Sequence, residues 1–233
     1  MNIKFTTLTG ADDSTDIDKL VSLSKRYPFA EWGILFHKNK NGIPRYPSKE
    51  WIEKLTLISK EINLSAHLCG DWVMQMRYGE IPFLKEPISN IFKRIQVNCF
   101  GEMIDQVLFS KNKFWDCPFD KPFMIGGNYQ GKEIPLELFK SKGISPLFDC
   151  SGGKGILPEK WEKPLNGILC GYAGGLNPSN LEEQLKSIEA EVGDNEIWID
   201  METGLRNKDD LFDIDLCEQV LSIVSKNKWE KVF

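Results

Sequence analysis

The stretch Gly167–Ser187, GILCGYAGGLNPSNLEEQLKS, decides how this chain is read. An apolar run, Ile168-Leu169-Cys170, reads as a strand and leads into three glycines, Gly171, Gly174 and Gly175. A helix start follows. Asn177 is a capping residue type, Pro178 suits the first helical position, and Glu182 and Glu183 lie near the positive end of the helix dipole. A strand that passes through a glycine turn into a helix N-terminus presents unpaired backbone N–H groups, which suit an anion.

The same unit recurs on both sides. Upstream, strands are expected at 3–7, 32–36, 64–68, 94–98, 122–125 and 144–149, and downstream at 197–201. Between them lie helical spacings: Ile17, Leu20, Val21 and Leu23; Trp51, Ile52, Leu55 and Ile58 behind a Ser48 cap; Met103, Ile104, Val107 and Leu108; a short piece over 136–139; and Leu216, Val220, Leu221 and Val224. Strict alternation of strand and helix predicts a parallel sheet, and eight units predict a closed (β/α)8 TIM barrel forming one α/β domain over residues 1–233. An open doubly wound sheet is the alternative. Two long loops, about 69–87 and 111–121, break the rhythm. The aromatics of the first (Trp72, Tyr78, Phe83) fit either a packed lid or an excursion over the barrel's outside.

Composition narrows the function. At 233 residues, 41% of them hydrophobic and 27% charged, the chain can build one large core. A net charge of −5 argues against a nucleic-acid partner, which demands a basic footprint. No apolar run reaches membrane-span length, and Met1–Lys4 leads directly into a strand pattern, so a cytoplasmic protein is expected. Six cysteines, at 69, 99, 117, 150, 170 and 217, include no C-x-x-C pair and read as reduced thiols. With no ligand spacing among them and two histidines in the chain, neither a metal site nor a cofactor is expected, and a metal-dependent hydrolase or lyase is disfavoured.

In a barrel of this kind the chemistry sits at the C-terminal strand ends. Those positions hold Thr6 and Thr9, His37 and Arg45, His67, Gln96 and Asn98, Asn128, Asp149, Asp200 and Glu202. They form a set of acids, amides and an arginine with no Ser-His-Asp arrangement. Glycine loops after strands seven and eight suit a phosphate.

An ordered series runs through most of the chain: Leu8-Thr9, Pro44-Arg45-Tyr46, Gln96, Phe148-Asp149 with Gly152-Gly153-Lys154-Gly155 and Trp161, Ala173-Gly174-Gly175-Leu176 with Asn180, and Thr203-Gly204-Leu205. It resembles the phosphoribosylanthranilate isomerase family. The resemblance implies an Amadori rearrangement of the aldose–ketose isomerase type, in tryptophan biosynthesis, in which one group protonates a ring oxygen and another removes a proton from the neighbouring carbon. It implies Asp149 as the acid, Arg45 as the receiver of the substrate carboxylate, and Gln96, Asn98 and Asn128 at the substrate. It places the phosphate at Gly153, Gly174, Gly175, Thr203 and Gly204.

The sequence departs from the family pattern where the base belongs. The family's K-x-C-G-x-T motif reads Lys4-Phe5-Thr6-Thr7-Leu8-Thr9 here, so Thr6 stands in the cysteine's place, and a threonine hydroxyl is no base without an activating partner. His67, Cys69, Asp200 and Glu202 are the candidate replacements. Glu202 also stands where the family keeps a small hydroxyl residue near the phosphate, with Arg206 placed to pair with it or with the phosphate, and Asn98 replaces a histidine. Two functions follow: an acid–base enzyme acting on a phosphorylated small molecule, as a monomer or homodimer, or a barrel that binds a phosphorylated ligand without turnover.

Overall fold

The computed structural model describes residues 1–76, 78, 80–99, 102–108, 121–132 and 134–228; the loop expected at 111–121 lies, but for Lys121, outside the described residues. Eight parallel strands close into a barrel in sequence order: β1 Asn2–Thr9, β2 Ala30–Phe36, β3 Leu64–Leu68, β4 Arg94–Asn98, β5 Phe123–Gly127, β6 Ile144–Asp149, β7 Cys170–Ala173 and β8 Glu196–Met201. Helices α1 Ile17–Arg26, α2 Lys49–Ile58, α3 Asp71–Met76, α4 Met103–Leu108, α5 Leu136–Lys142, α6 Leu181–Val192 and α7 Ile214–Lys228 lie in the connections and after β8. Local chemistry fixes their starts. Asp16 Oδ1 accepts from Asp18 N at 3.0 Å, Ser48 Oγ from Trp51 N at 3.2 Å, and Asp213 Oδ1 from Asp215 N at 2.9 Å. Among the described residues no helix is long and apolar enough to cross a membrane.

The structure settles several of these expectations differently. The seventh strand begins at Cys170 and runs through Gly171, because the Trp198 indole lies where a Cβ on Gly171 would sit, 2.3 Å from two ring atoms. That glycine is a packing slot rather than a turn. The helix after it runs over Leu181–Val192, and Asn177 caps the turn that leads into it as expected: its Oδ1 accepts from Ser179 N at 2.9 Å and its carbonyl from Leu181 N at 3.0 Å. No helix lies between β6 and β7 among the described residues. There the buried Trp161 fills the outer layer, donating Nε1 to Gln184 Oε1 at 3.1 Å. Of the two readings of the segment after β3, the packing fits the excursion over the barrel's outside: Phe83 and Phe92 lie edge-on to Phe36, and Trp72 lies edge-on to Phe83.

A further expectation fails at the base position. Pairing of β1 with β8 shifts register between Ile3 and Phe5, so that Phe5 faces Trp198 and Thr7 faces Asp200. A one-residue bulge reverses which face every later side chain takes. Thr6 therefore points outward with Leu8 into the helix layer, while Phe5, Thr7 and Thr9 point into the barrel. Thr6 is fully buried and its Oγ1 has no hydrogen-bond partner, so it takes no part in the site. Thr6→Val is expected to stabilise the fold by about 1 kcal/mol, because an unpaired buried hydroxyl is replaced by a methyl of the same shape. A urea midpoint that falls in this variant would show that the hydroxyl is bonded.

Inside the barrel, Met124, Leu147, Ala173 and Trp198 form an apolar plug with Phe5 stacked on Trp198 at 5.6 Å. Beside it lies a buried ion pair, Glu31 with Arg94, whose guanidinium carbon sits 3.1 Å above the Phe5 ring.

Candidate active site

Above the plug the interior turns polar. Asp200, near the end of β8, accepts from Thr9 Oγ1 at 2.7 Å and from Gln96 Nε2 at 2.9 Å. The same amide nitrogen lies 3.1 Å from His67 Nδ1 and 3.1 Å from Asn98 Oδ1, and His67 Nε2 lies 3.0 Å from Ser65 Oγ. A donating Gln96 makes Nδ1 an acceptor and puts the imidazole proton on Nε2, toward Ser65. This belt crosses β2 at Gly33, where a Cβ would stand 2.3 Å from Thr9 Oγ1 and 2.8 Å from His67 Nε2. A glycine inside a strand is what lets both side chains approach.

Burial sets the protonation of these groups. It pushes the Asp200 carboxyl up from 3.8 to about 6, against the pull of the Gln96 and Thr9 bonds and with a further push from the charges of Glu31 and Asp149. Burial pushes His67 down to about 3, so the imidazole is neutral throughout the physiological range. Cys69 and Cys99 are pushed up to about 12 by burial and are therefore thiols, not bases. Of the four candidate replacements for the missing base, Asp200 alone is both unpaired with a cation and able to exchange a proton near neutrality.

Asp149 and Asp200 share a level of the barrel. Asp149 on β6 is in register with Ala173 on β7, which is in register with Asp200 on β8. Two strand spacings put their backbones about 10 Å apart with a single methyl between. Asp149 also holds the loop that follows it: Oδ1 accepts from Ser151 N at 2.9 Å and Ser151 Oγ at 2.7 Å, and Oδ2 from Gly153 N at 3.2 Å. Both carboxylates line one cavity of about 60 Å³, along with Thr9, His67, Gln96, Asn98 and Glu202. Gly153, Gly174, Gly175, Thr203 and Gly204, the residues expected at a phosphate, line it too. The loops fit closely: a Cβ on Gly175 would lie 2.5 Å from Leu157 N, and one on Gly204 would lie 2.1 Å from Leu176 O. No lysine or arginine occurs among the described residues that line it.

At the rim the arginines are already engaged. Arg45 sends Nη1 to Glu202 Oε1 at 2.9 Å and Nη2 to Asp210 Oδ1 at 2.8 Å, and its backbone N, at φ +75°, is held by Asp12 Oδ2 at 2.8 Å. Arg206 is the partner of Asp12, Asp210 and the Gly10 carbonyl, not of Glu202. Burial raises the Glu202 carboxyl, opposed by the adjacent Arg45 charge. The sequence puts Arg45 at a substrate carboxylate and Glu202 among the candidate bases with Arg206 beside it; in the structure Glu202 pairs with Arg45 instead.

Asn128 is not brought to the cavity either. It is exposed after β5, where its Oδ1 accepts from Gln130 N at 3.0 Å, as a turn asparagine does. Gln96 and Asn98 are where the sequence puts them. Among the described residues no group of His, Cys, Asp and Glu is arranged to hold a metal ion.

This is a (β/α)8 barrel with a polar, carboxylate-bearing cavity at its C-terminal mouth, and its fold is that of phosphoribosylanthranilate isomerase. Over 96% of this chain it superposes on 99% of the phosphoribosylanthranilate isomerase of Thermus thermophilus, with a TM-score of 0.61 and 13% identity. The TrpF structure of Jonesia denitrificans matches over 97% of this chain and 99% of that one, with a TM-score of 0.60 and 13% identity. A phosphoribosylanthranilate isomerase in complex with reduced 1-(o-carboxyphenylamino)-1-deoxyribulose 5-phosphate matches over 97% of this chain and all of that one, at a TM-score of 0.54 and 14% identity. No protein-family model and no curated protein matches the sequence.

Proposed function

We propose that this chain is a phosphoribosylanthranilate-isomerase-like barrel performing acid–base catalysis on a small phosphorylated molecule, with Asp200 as the proton-exchanging group. One observation carries the reading: a buried carboxyl raised to about 6, mostly ionised at neutral pH yet able to take and return a proton there, faces a cavity at the mouth of the barrel. Asp149 stands across Ala173 from it, so two carboxyls flank the place where a carbon acid or ring oxygen would lie. The glycine loops after β6, β7 and β8 supply backbone N–H groups for a phosphate, as the ligand of the structural neighbour carries one. The cavity is far smaller than the roughly 300 Å³ or more of a site for a drug-sized ligand, so a substrate of that size enters only if the loop over residues 151–157 lifts from Gly174 and Gly175.

Proton exchange with solvent is the direct test. Aldose and ketose phosphates, including phosphoribosylanthranilate, are incubated in deuterated water with the wild type, Asp200→Asn and Asp149→Asn. The wild type is expected to wash deuterium into the carbon beside the carbonyl of its substrate, and Asp200→Asn to slow this by about 10²–10⁴-fold. Asp149→Asn is expected to slow exchange less and to weaken substrate binding more, through its hold on the loop. A ligand that binds but exchanges no deuterium favours the second reading, a binding barrel without turnover, which the neutralised Arg45 supports.

A further inference from the structure

We propose that Glu202 sets the ligand specificity of this cavity. By occupying Arg45 it makes the mouth accept a hydroxylated group that is uncharged or cationic, and reject one that carries a carboxylate. The proposal rests on the cavity being the ligand site, as proposed above. A carboxylate needs a cation or several donors; no lysine or arginine is among the described residues that line the cavity, and Arg45 and Arg206 at its rim are committed. The Arg45 fork is shared between Glu202 at 2.9 Å and Asp210 at 2.8 Å, with Nε a further 3.4 Å from Asp210 Oδ2. Its backbone is tethered through Asp12, so the side chain has little freedom to turn toward a ligand. Arg206, 2% exposed at its side chain, is spent on Asp12, Asp210 and Gly10.

A ligand carboxylate would therefore meet three protein carboxylates, Asp149, Asp200 and Glu202, and no lysine or arginine among the described lining residues. To reach Arg45 it would have to displace Glu202, leaving that buried acid unpaired. Glu202 thus acts as an internal carboxylate, standing in the position that a carboxylate ligand would need. Hydroxyls meet the opposite situation. Thr9, Gln96 and Asn98 provide oxygens and an amide along the wall, and the carboxylates accept from hydroxyl or ammonium groups.

Three probes of one size and three charges test this: serinol (2-amino-1,3-propanediol), glycerol and glycerate, titrated calorimetrically into the wild type at neutral pH. Serinol is expected to bind at least about tenfold tighter than glycerate, since like-charge juxtaposition costs several kcal/mol. Glu202→Gln is expected to weaken serinol and to strengthen glycerate, each by about tenfold, and adding Arg45→Gln to that variant should remove the glycerate gain. Glycerate binding to the wild type as tightly as serinol, absence of serinol binding, or an unchanged order in Glu202→Gln would overturn the proposal. The wild-type order decides alone if the variants do not fold. Inorganic phosphate is titrated in parallel: its failure to bind removes the phosphate anchor while leaving the order of the three probes to judge Glu202.

Discussion

Arg94→Met is expected to destabilise the barrel by about 3–5 kcal/mol, the largest single-site loss in this account. Arg94 and Glu31 are an ion pair inside the barrel, with Glu31 3% exposed, and Thr7 Oγ1 donates to the second carboxylate oxygen at 2.9 Å. Removing the arginine strands a carboxylate inside the barrel, away from water, with the Thr7 hydroxyl still donating to it. The loss comes from the charge left behind rather than from the value of the pair. Arg94 Nη1 has no hydrogen-bond partner, so the pair itself is imperfectly compensated. The double variant Glu31→Leu, Arg94→Met is therefore expected to recover most of the stability. Urea unfolding of the wild type and these two variants measures this, and a single-variant loss below about 1 kcal/mol would contradict a buried, charged Glu31.

Asp200→Asn is expected to gain stability relative to the wild type as pH rises, by about 2 kcal/mol between pH 4 and pH 8. The Asp200 carboxyl is raised by burial to about 6 in the fold, against an ordinary 3.8. A carboxyl raised on folding binds its proton more tightly in the native state. It costs nothing below its unfolded pKa, and its penalty grows until the pH passes the folded value. An amide carries no charge and escapes that penalty. At low pH the variant is expected to be slightly less stable, because its Nδ2 faces the Gln96 amide unless Gln96 turns over. Thermal unfolding of both proteins across this range provides the comparison.

The barrel is legible in the sequence because its period is coarse: eight apolar runs, each near a glycine or polar end, survive errors of two or three residues. What fails is parity. Nothing in Lys4-Phe5-Thr6-Thr7-Leu8-Thr9 announces that Lys4 is the extra residue of a bulge, yet that residue alone turns Thr6 outward and brings Thr7 and Thr9 inward. Gly171 misleads for a similar reason, since a glycine that makes room for an indole looks like a glycine that turns the chain. At the site, Gln96, Asn98 and Asp149 could be placed because strand ends locate them. The partners of Arg45 and Arg206 could not be, because both arginines lie on loops whose ion pairs depend on side-chain reach. Asp200 is visible in sequence only as one of four possible bases. Its distinction arises from burial and from the Thr9 and Gln96 bonds, which bring together β1, β4 and β8.

Carbon-13 NMR titration of the aspartate carboxyls, comparing the wild type with Asp200→Asn, tests the central claim most directly. The account predicts one carboxyl resonance with a midpoint near pH 6 that is absent from the variant. A wild-type spectrum in which every aspartate titrates below about pH 5, within the ordinary spread for this residue type, would contradict it.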